Sequence, residues 1–191
     1  MSTNVFHSLV PGTYRAILAD PPWKFQTYSP KGLGKSADGH YATQSLDWIK
    51  ALPVASLAHP EGCALVLWAT APMLPQALEV MHAWGFDYKS AGAWAKQSAT
   101  GQKWAFGTGY GWRNAAEFFL LGTRGRPLRS AKNIRNLIVA PVREHSRKPE
   151  QMRTDFLALF PGPHVELFAR SPAPGYDVWG NQTTKFEVPA C

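Results

Sequence analysis

Only two cysteines occur among the 191 residues, Cys63 inside an apolar run and Cys191 at the end. That excludes a disulfide framework and a Cys-x-x-Cys metal site, so no metal is expected. No stretch approaches the roughly 18 consecutive apolar residues that a membrane span needs. Met1 to Val10 also lacks a basic segment followed by a long apolar one. The expectation is a soluble, intracellular, cytoplasmic protein with no membrane partner. Several chemistries lack their residues too. There is no Pro-Cys-x-x-Cys of a zinc deaminase, no complete Gly-x-x-x-x-Gly-Lys-Ser/Thr phosphate loop and no Gly-x-Ser-x-Gly elbow. Repeats and linkers are absent as well, which points to a single domain over residues 1–191.

Acidic side chains are scarce in one region. The chain carries 20 Lys+Arg against 13 Asp+Glu, a net charge of +7. From Arg113 to Arg153 there are ten basic and three acidic residues, and the remainder balances. Within that region Arg124, Arg126, Arg129, Lys132 and Arg135 follow one another with no acid between. A solvated loop has the same composition. Downstream of the turn described next, a surface that tracks phosphates is the better expectation.

What the chain does have is Asp20-Pro21-Pro22-Trp23, directly after the apolar run Tyr14 to Ala19. The run reads as a buried strand. The two prolines lack an amide hydrogen and fix φ, so they end the strand and stiffen the turn. The Ala19, Asp20 and Pro21 carbonyls are then expected to face a ligand. A carboxylate and a proline carbonyl can accept both N–H hydrogens of a planar amino group, and Trp23 offers a face on which a base can stack. A Pro-Pro turn with a buried aromatic is the plainer alternative. The place at a strand end, where open α/β sheets bind ligands, favours the functional reading.

The rest of the chain alternates strands with helices. A loop from Lys24 to His40 holds three glycines and three lysines. Leu46, Ile49 and Leu52 have helical spacing. Cys63 to Ala69 reads as a central strand, and Pro72 to Trp84 as a helix with Leu74, Leu78 and Met81 on one face and Gly85 beyond its end. Phe86 to Trp94, Glu117 to Leu121, Leu137 to Ala140, Val165 to Ala169 and Tyr176 to Trp179 read as strands. Pro149 to Phe160 reads as a helix with Ser146 as its N-cap. Gly107-Thr108-Gly109-Tyr110-Gly111 is not a dinucleotide fingerprint, because aromatic loop residues precede it and a strand follows. The pattern predicts an α/β fold with a mostly parallel sheet.

These motifs resemble the MT-A70-like adenine N6-methyltransferases, S-adenosylmethionine-dependent enzymes of DNA or RNA, over about residues 14–182. Asp-Pro-Pro-Trp is their signature, and its place before the cofactor-binding strand matches the permuted β-group order. The resemblance implies a Rossmann-like methyltransferase fold with helices on both faces of the sheet. It implies Asp20, Pro21, Pro22 and Trp23 as the catalytic residues, with Asp20 also meeting the cofactor. Trp94-Ala95-Lys96 matches a Trp-x-Lys whose lysine is implied to meet the cofactor carboxylate. Glu166-Leu167-Phe168-Ala169-Arg170 and Gly180-Asn181-Gln182 match an ELFGR-like strand and a Gly-Asn-Gln. These imply cofactor contacts at Glu166, Leu167, Arg170, Asn181 and Gln182. Trp112, Asn114 and Glu117 match a Trp, Asn and Glu of the family. With Arg113, Lys24, Tyr41, Arg124, Arg126 and Arg129 they form the expected substrate surface.

Two features depart from the family pattern. Ala169 replaces a glycine, and Ser171-Pro172-Ala173-Pro174 stands where a His-Asn pair is usual, so contacts made by that pair are not carried over. His145-Ser146-Arg147-Lys148-Pro149 resembles a Ser-His-Lys-Pro segment and is expected to cap and pack a helix. The expected function is methylation of adenine N6 in nucleic acid, DNA before RNA, in a bacterial or phage-like chain. RNA adenosine and a non-catalytic nucleic-acid-binding subunit are the alternatives. A second copy or a partner subunit is the expected source of further grip.

Overall fold

The computed structural model describes residues 5–24, 43–144 and 147–186. Most of the Lys24 to His40 loop, Tyr41, His145 and the Ser146 cap fall outside the described residues. Seven strands among those described form one sheet: β1 (Ala16–Ala19), β2 (Gly62–Ala69), β3 (Asp87–Gln97), β4 (Ala116–Gly125), β5 (Leu137–Pro141), β6 (His164–Leu167) and β7 (Tyr176–Trp179). Their order is β5-β3-β4-β2-β1-β6-β7. All neighbours pair in parallel except β4, which runs against both β2 and β3. The sheet is mostly parallel, as the alternation of elements predicts.

Every residue of β1 and β2 is buried, as expected for strands covered on both faces. Ile17, Leu65 and Leu67 pack on one face with Ala77, Val80 and Met81 of α2 (Leu74–Ala83) and Ile49 of α1 (Leu46–Lys50). Leu18, Val66 and Trp68 pack on the other with Met152 and Phe156 of α3 (Glu150–Leu159). The rings of Trp68 and Phe119 meet edge to face at 5.4 Å on that second face. Helices therefore cover both faces of the sheet.

The apolar face of α2 differs from the spacing reading. Leu78 is 41% exposed, while Ala77, Val80 and Met81 are buried. A 3-10 turn at Ala71–Met73 precedes the helix and sets its phase. Gly85 follows with φ +77, a left-handed stop suited to glycine.

β1 lies between β2 and β6, so the chain leaves it first toward one side of the sheet and later toward the other. Such a reversal opens a crevice at the carboxyl ends of the strands. The reversed strand β4 begins at that edge, where Phe118 pairs with Ala69. It ends at the opposite edge, where Arg124 pairs with Cys63 and Gly125 with Gly62.

Candidate active site

Asp20 follows β1 at the crevice, its backbone N–H reaching the Leu167 carbonyl of β6 at 3.4 Å. Its carboxylate oxygen Oδ2 accepts from Lys148 Nζ at 2.8 Å. Lys148 also lies 3.0 Å from Glu117 Oε1, and Lys96 lies 2.8 Å from Glu117 Oε2. Acid and base thus alternate across the crevice: Asp20, Lys148, Glu117, Lys96. The Lys148 ammonium stands 5.4 Å from the Trp68 ring centroid and the Lys96 ammonium 4.8 Å from that of Trp94, which adds cation–π attraction.

The local chain explains how Lys148 gets there. Pro149 is extended, at φ −64 and ψ 136, and heads α3. A residue before proline is steered away from helix, so Lys148 stays outside the helix and reaches back over the sheet. Burial alone would raise the Glu117 pKa. The Lys148 and Lys96 ammonium groups overcome this and hold the carboxyl down to about 2. Burial likewise works against the charge on Lys148, and Asp20 and Glu117 more than restore it, leaving its pKa above the usual lysine value.

A second ionic group stands beside the first. Arg153 of α3 donates from Nε to Glu166 Oε2 at 2.7 Å and lies 3.0 Å from Glu150. Burial pushes the Glu166 carboxyl up, and the Arg153 guanidinium offsets part of that shift. Between the two groups opens a pocket lined by Asp20, Lys148, Arg153, Glu166, Phe168 and Arg170, with Phe186 also on its wall. The pocket is partly open to solvent.

Backbone geometry fixes the floor of the pocket. Phe168 has φ +62, a left-handed conformation unusual for a bulky side chain. Its ring meets that of Trp179 at 5.3 Å, and Ala169 N–H donates to the Trp179 carbonyl at 3.0 Å. A Cβ on Gly180 would lie 2.8 Å from the Ala169 oxygen and 3.0 Å from its nitrogen. Only glycine lets the Gly180-Asn181-Gln182 turn close so tightly on the end of β6.

The structure brings Asp20, Lys96, Glu117, Glu166 and Arg170 to one edge of the sheet, with Leu167 supplying core packing and a carbonyl. Asn181 is exposed, and Gln182 Oε1 accepts from Lys185 Nζ at 3.4 Å. Lys24 is exposed just beyond the turn. The turn itself differs from expectation in two respects. The Pro21 carbonyl accepts from Trp23 N–H at 2.8 Å and the Pro22 carbonyl from Gln44 N–H at 3.0 Å, so Pro21 offers a ligand only its second lone pair. Trp23 is 7% exposed, packs in the core, and donates its indole N–H to the Trp68 carbonyl at 3.0 Å. The stacking face expected of it is turned inward.

The expected substrate residues divide. Glu117 is 7% exposed and held by two lysines. Asn114 turns its side-chain oxygen to the Ala116 N–H at 3.2 Å. Trp112 and Arg113 project on an open loop. Arg124 and Arg126 sit at the opposite end of the sheet, because β4 is reversed. Arg129 lies there too, next to Ser130, whose N–H donates to the Leu159 carbonyl at the end of α3. These three are not brought together with Asp20.

Lys148 and Arg153 were missed by sequence reasoning. Nothing local to Lys148-Pro149 marks the lysine as the partner of an aspartate 128 positions away. Among the described residues, no cluster of His, Cys, Asp and Glu could hold a metal, and no helix is long and apolar enough to cross a membrane.

This chain is 29% identical to the type II methyltransferase M.MunI of Mycoplasma sp., over 97% of its own length and 85% of the relative's. It is 31% identical to a putative N(6)-adenosine-methyltransferase MT-A70-like protein of Medicago truncatula, covering 83% of itself but 24% of that protein. It is 27% identical to the human N(6)-adenosine-methyltransferase catalytic subunit METTL3, covering 90% of itself and 28% of that protein. The MT-A70 family model matches residues 14–182. Together with Asp20-Pro21-Pro22-Trp23 at the crevice, that match shows that the chain belongs to the MT-A70 family.

Proposed function

We propose that this protein is an S-adenosylmethionine-dependent methyltransferase of adenine N6 in nucleic acid, with DNA as the favoured polymer. One observation carries the reading. Asp20 stands at the switch point of the sheet and already accepts a nitrogen donor, the Lys148 ammonium, at 2.8 Å. An exocyclic amine presents the same N–H chemistry to the same carboxylate.

The pocket chemistry fits the cofactor. Lys148, Arg153 and Arg170 can hold a carboxylate, Asp20 an ammonium or sulfonium, and Phe168 an apolar ring face. When bound, S-adenosylmethionine supplies an electrophilic methyl group. The protein's own part is to hold the amine still. Asp20 accepts one N–H bond, and the second lone pair of the Pro21 carbonyl accepts another. Both acceptors favour the partial positive charge that grows on nitrogen, and Asp20 or water takes up the proton it sheds. Preorganised contacts of this kind are worth about 10²–10³ in rate each. The target base must leave its stack to reach them.

DNA is favoured because a relative matched over 85% of its own length is named a type II methyltransferase. The relatives named for adenosine are far longer, and this chain covers 24% and 28% of two of them. A radiolabelled methyl assay on DNA and RNA, with the product digested to nucleosides, tests both points. The expected result is N6-methyldeoxyadenosine from the wild type and loss of about 10²–10³ in rate with Asp20→Asn. Methylated ribonucleosides alone would move the acceptor to RNA. Binding without transfer would make the chain a non-catalytic subunit, and light scattering of the same samples reports whether a second copy is required.

A further inference from the structure

The loop between β3 and β4 exposes four large rings: Trp104 at 61%, Phe106 at 78%, Tyr110 at 64% and Trp112 at 92%. Rings of this size are ordinarily sheltered, and a cluster of them marks a binding surface. The loop backbone is pinned. Trp104 bridges Gln97 in antiparallel fashion, Ala105 N–H donates to the Lys96 carbonyl at 2.8 Å, and Gly107 N–H donates to the Asn114 carbonyl at 2.9 Å. A Cβ on Gly109 would lie 2.1 Å from the Trp112 oxygen, so the tip is folded tightly on itself. The side chains are therefore held outward by their scaffold.

Composition identifies the occupant. From Ala95 to Ala116 there is no Leu, Ile, Val or Met to accompany the rings, and no Asp or Glu occurs between Asp87 and Glu117. Lys103 and Arg113 lie within the loop, with the Arg113 guanidinium 5.0 Å from the Phe106 ring centroid. A protein interface core is likewise rich in aromatic side chains, Met and Arg, but the stretch from Arg113 to Arg153 that continues from this loop carries ten basic residues against three acidic ones, which favours a polyanion. Exposed rings beside cations, with no acid among them, suit unstacked bases on a phosphate backbone. Both ends of the loop join the crevice, through Lys96 and Glu117.

We propose that Trp104, Phe106, Tyr110 and Trp112, with Lys103 and Arg113, form a stacking subsite for nucleotides flanking the target adenine. This deepens the function proposed above and rests on it for the identity of the polymer. The subsite holds the strand that opens when the target base leaves its stack, and it recognises base faces rather than base edges.

The test is fluorescence anisotropy with labelled single-stranded and duplex oligonucleotides, using wild type, Phe106→Ala/Trp112→Ala and Arg113→Gln. The double variant is expected to weaken single-strand affinity by about tenfold or more, with the salt dependence unchanged. Arg113→Gln is expected to reduce the salt slope by about 0.7 for a single strand. Far-ultraviolet circular dichroism checks that each variant is folded. Unchanged affinity in the double variant overturns the proposal. So does a wild-type dimer that this variant dissolves into monomers, since the rings would then serve a second copy. The two readings fail separately. Aromatic-dependent binding without methyl transfer sinks only the enzyme, and transfer with aromatic-independent binding sinks only the subsite.

Discussion

Lys148 holds Asp20 across 128 residues of chain, with 2.8 Å between ammonium and carboxylate and 17% of each side chain exposed. The same ammonium holds Glu117 at 3.0 Å. One lysine thus bridges two carboxylates at the crevice, and Lys96 supplies the second positive charge at Glu117.

Removing that lysine leaves both acids without their shared partner. Lys148→Met is expected to destabilise the protein by about 3 kcal/mol, the lower part of the range for a broken buried pair, because some solvent still reaches it. Combining it with Glu117→Gln should recover part of the loss. Urea denaturation of the single and double variants checks this, and a single variant as stable as wild type would mean the pairs contribute nothing.

Acid should weaken the fold through Glu117. Its folded pKa lies below the ordinary 4.5 because Lys148 and Lys96 outweigh the effect of burial. A depressed carboxyl contributes stability that is complete above the unfolded pKa and is lost as pH falls toward the folded one. The window is therefore from about pH 4.5 down toward 2. Melting temperatures measured over that range should fall more steeply for wild type than for Glu117→Gln. Parallel curves would contradict the assignment.

Trp23 separates packing from catalysis. Trp23→Phe keeps the ring but strands the Trp68 carbonyl, at an expected loss of about 1–3 kcal/mol. Since the indole faces the core, the KM for nucleic acid should stay within about twofold, well short of what losing a base stack would cause. A large rise in KM with unchanged stability would restore the stacking role.

Gly180 tests the pocket floor. Gly180→Ala drives a methyl against the Ala169 backbone, and overpacking of this kind typically costs about 1–3 kcal/mol. Titration calorimetry should show weaker S-adenosylmethionine binding, because Asn181 and Gln182 follow the displaced backbone. Full cofactor affinity in a folded variant would show that the turn does not matter to the pocket.

Much of the fold was legible in the residues. β1 and β2 are continuous apolar runs, the mark of strands covered on both faces. Asp20 was legible for the same reason: a carboxylate followed by two prolines stands out at the end of such a run. Trp23 was not, because an aromatic after Pro-Pro reads identically whether it faces solvent or core. The destination of Arg124, Arg126 and Arg129 depended on the direction of β4. A clue was present, since no helix joins β3 to β4, and neighbouring strands without a crossover run antiparallel. Lys148 left no comparable mark, its partners being remote in sequence.

The reversal of β4 makes substrate length a variable. Glu117 near its start and Arg124 near its end are seven residues apart, on the order of 24 Å along the strand. That distance is on the order of seven base pairs of duplex. An oligonucleotide cut shorter than this on the far-rim side can fill the crevice without meeting those arginines. Under the proposed function a longer one is expected to meet them, so affinity should climb with added length and then level off; affinity independent of length would show that these arginines do not touch the substrate.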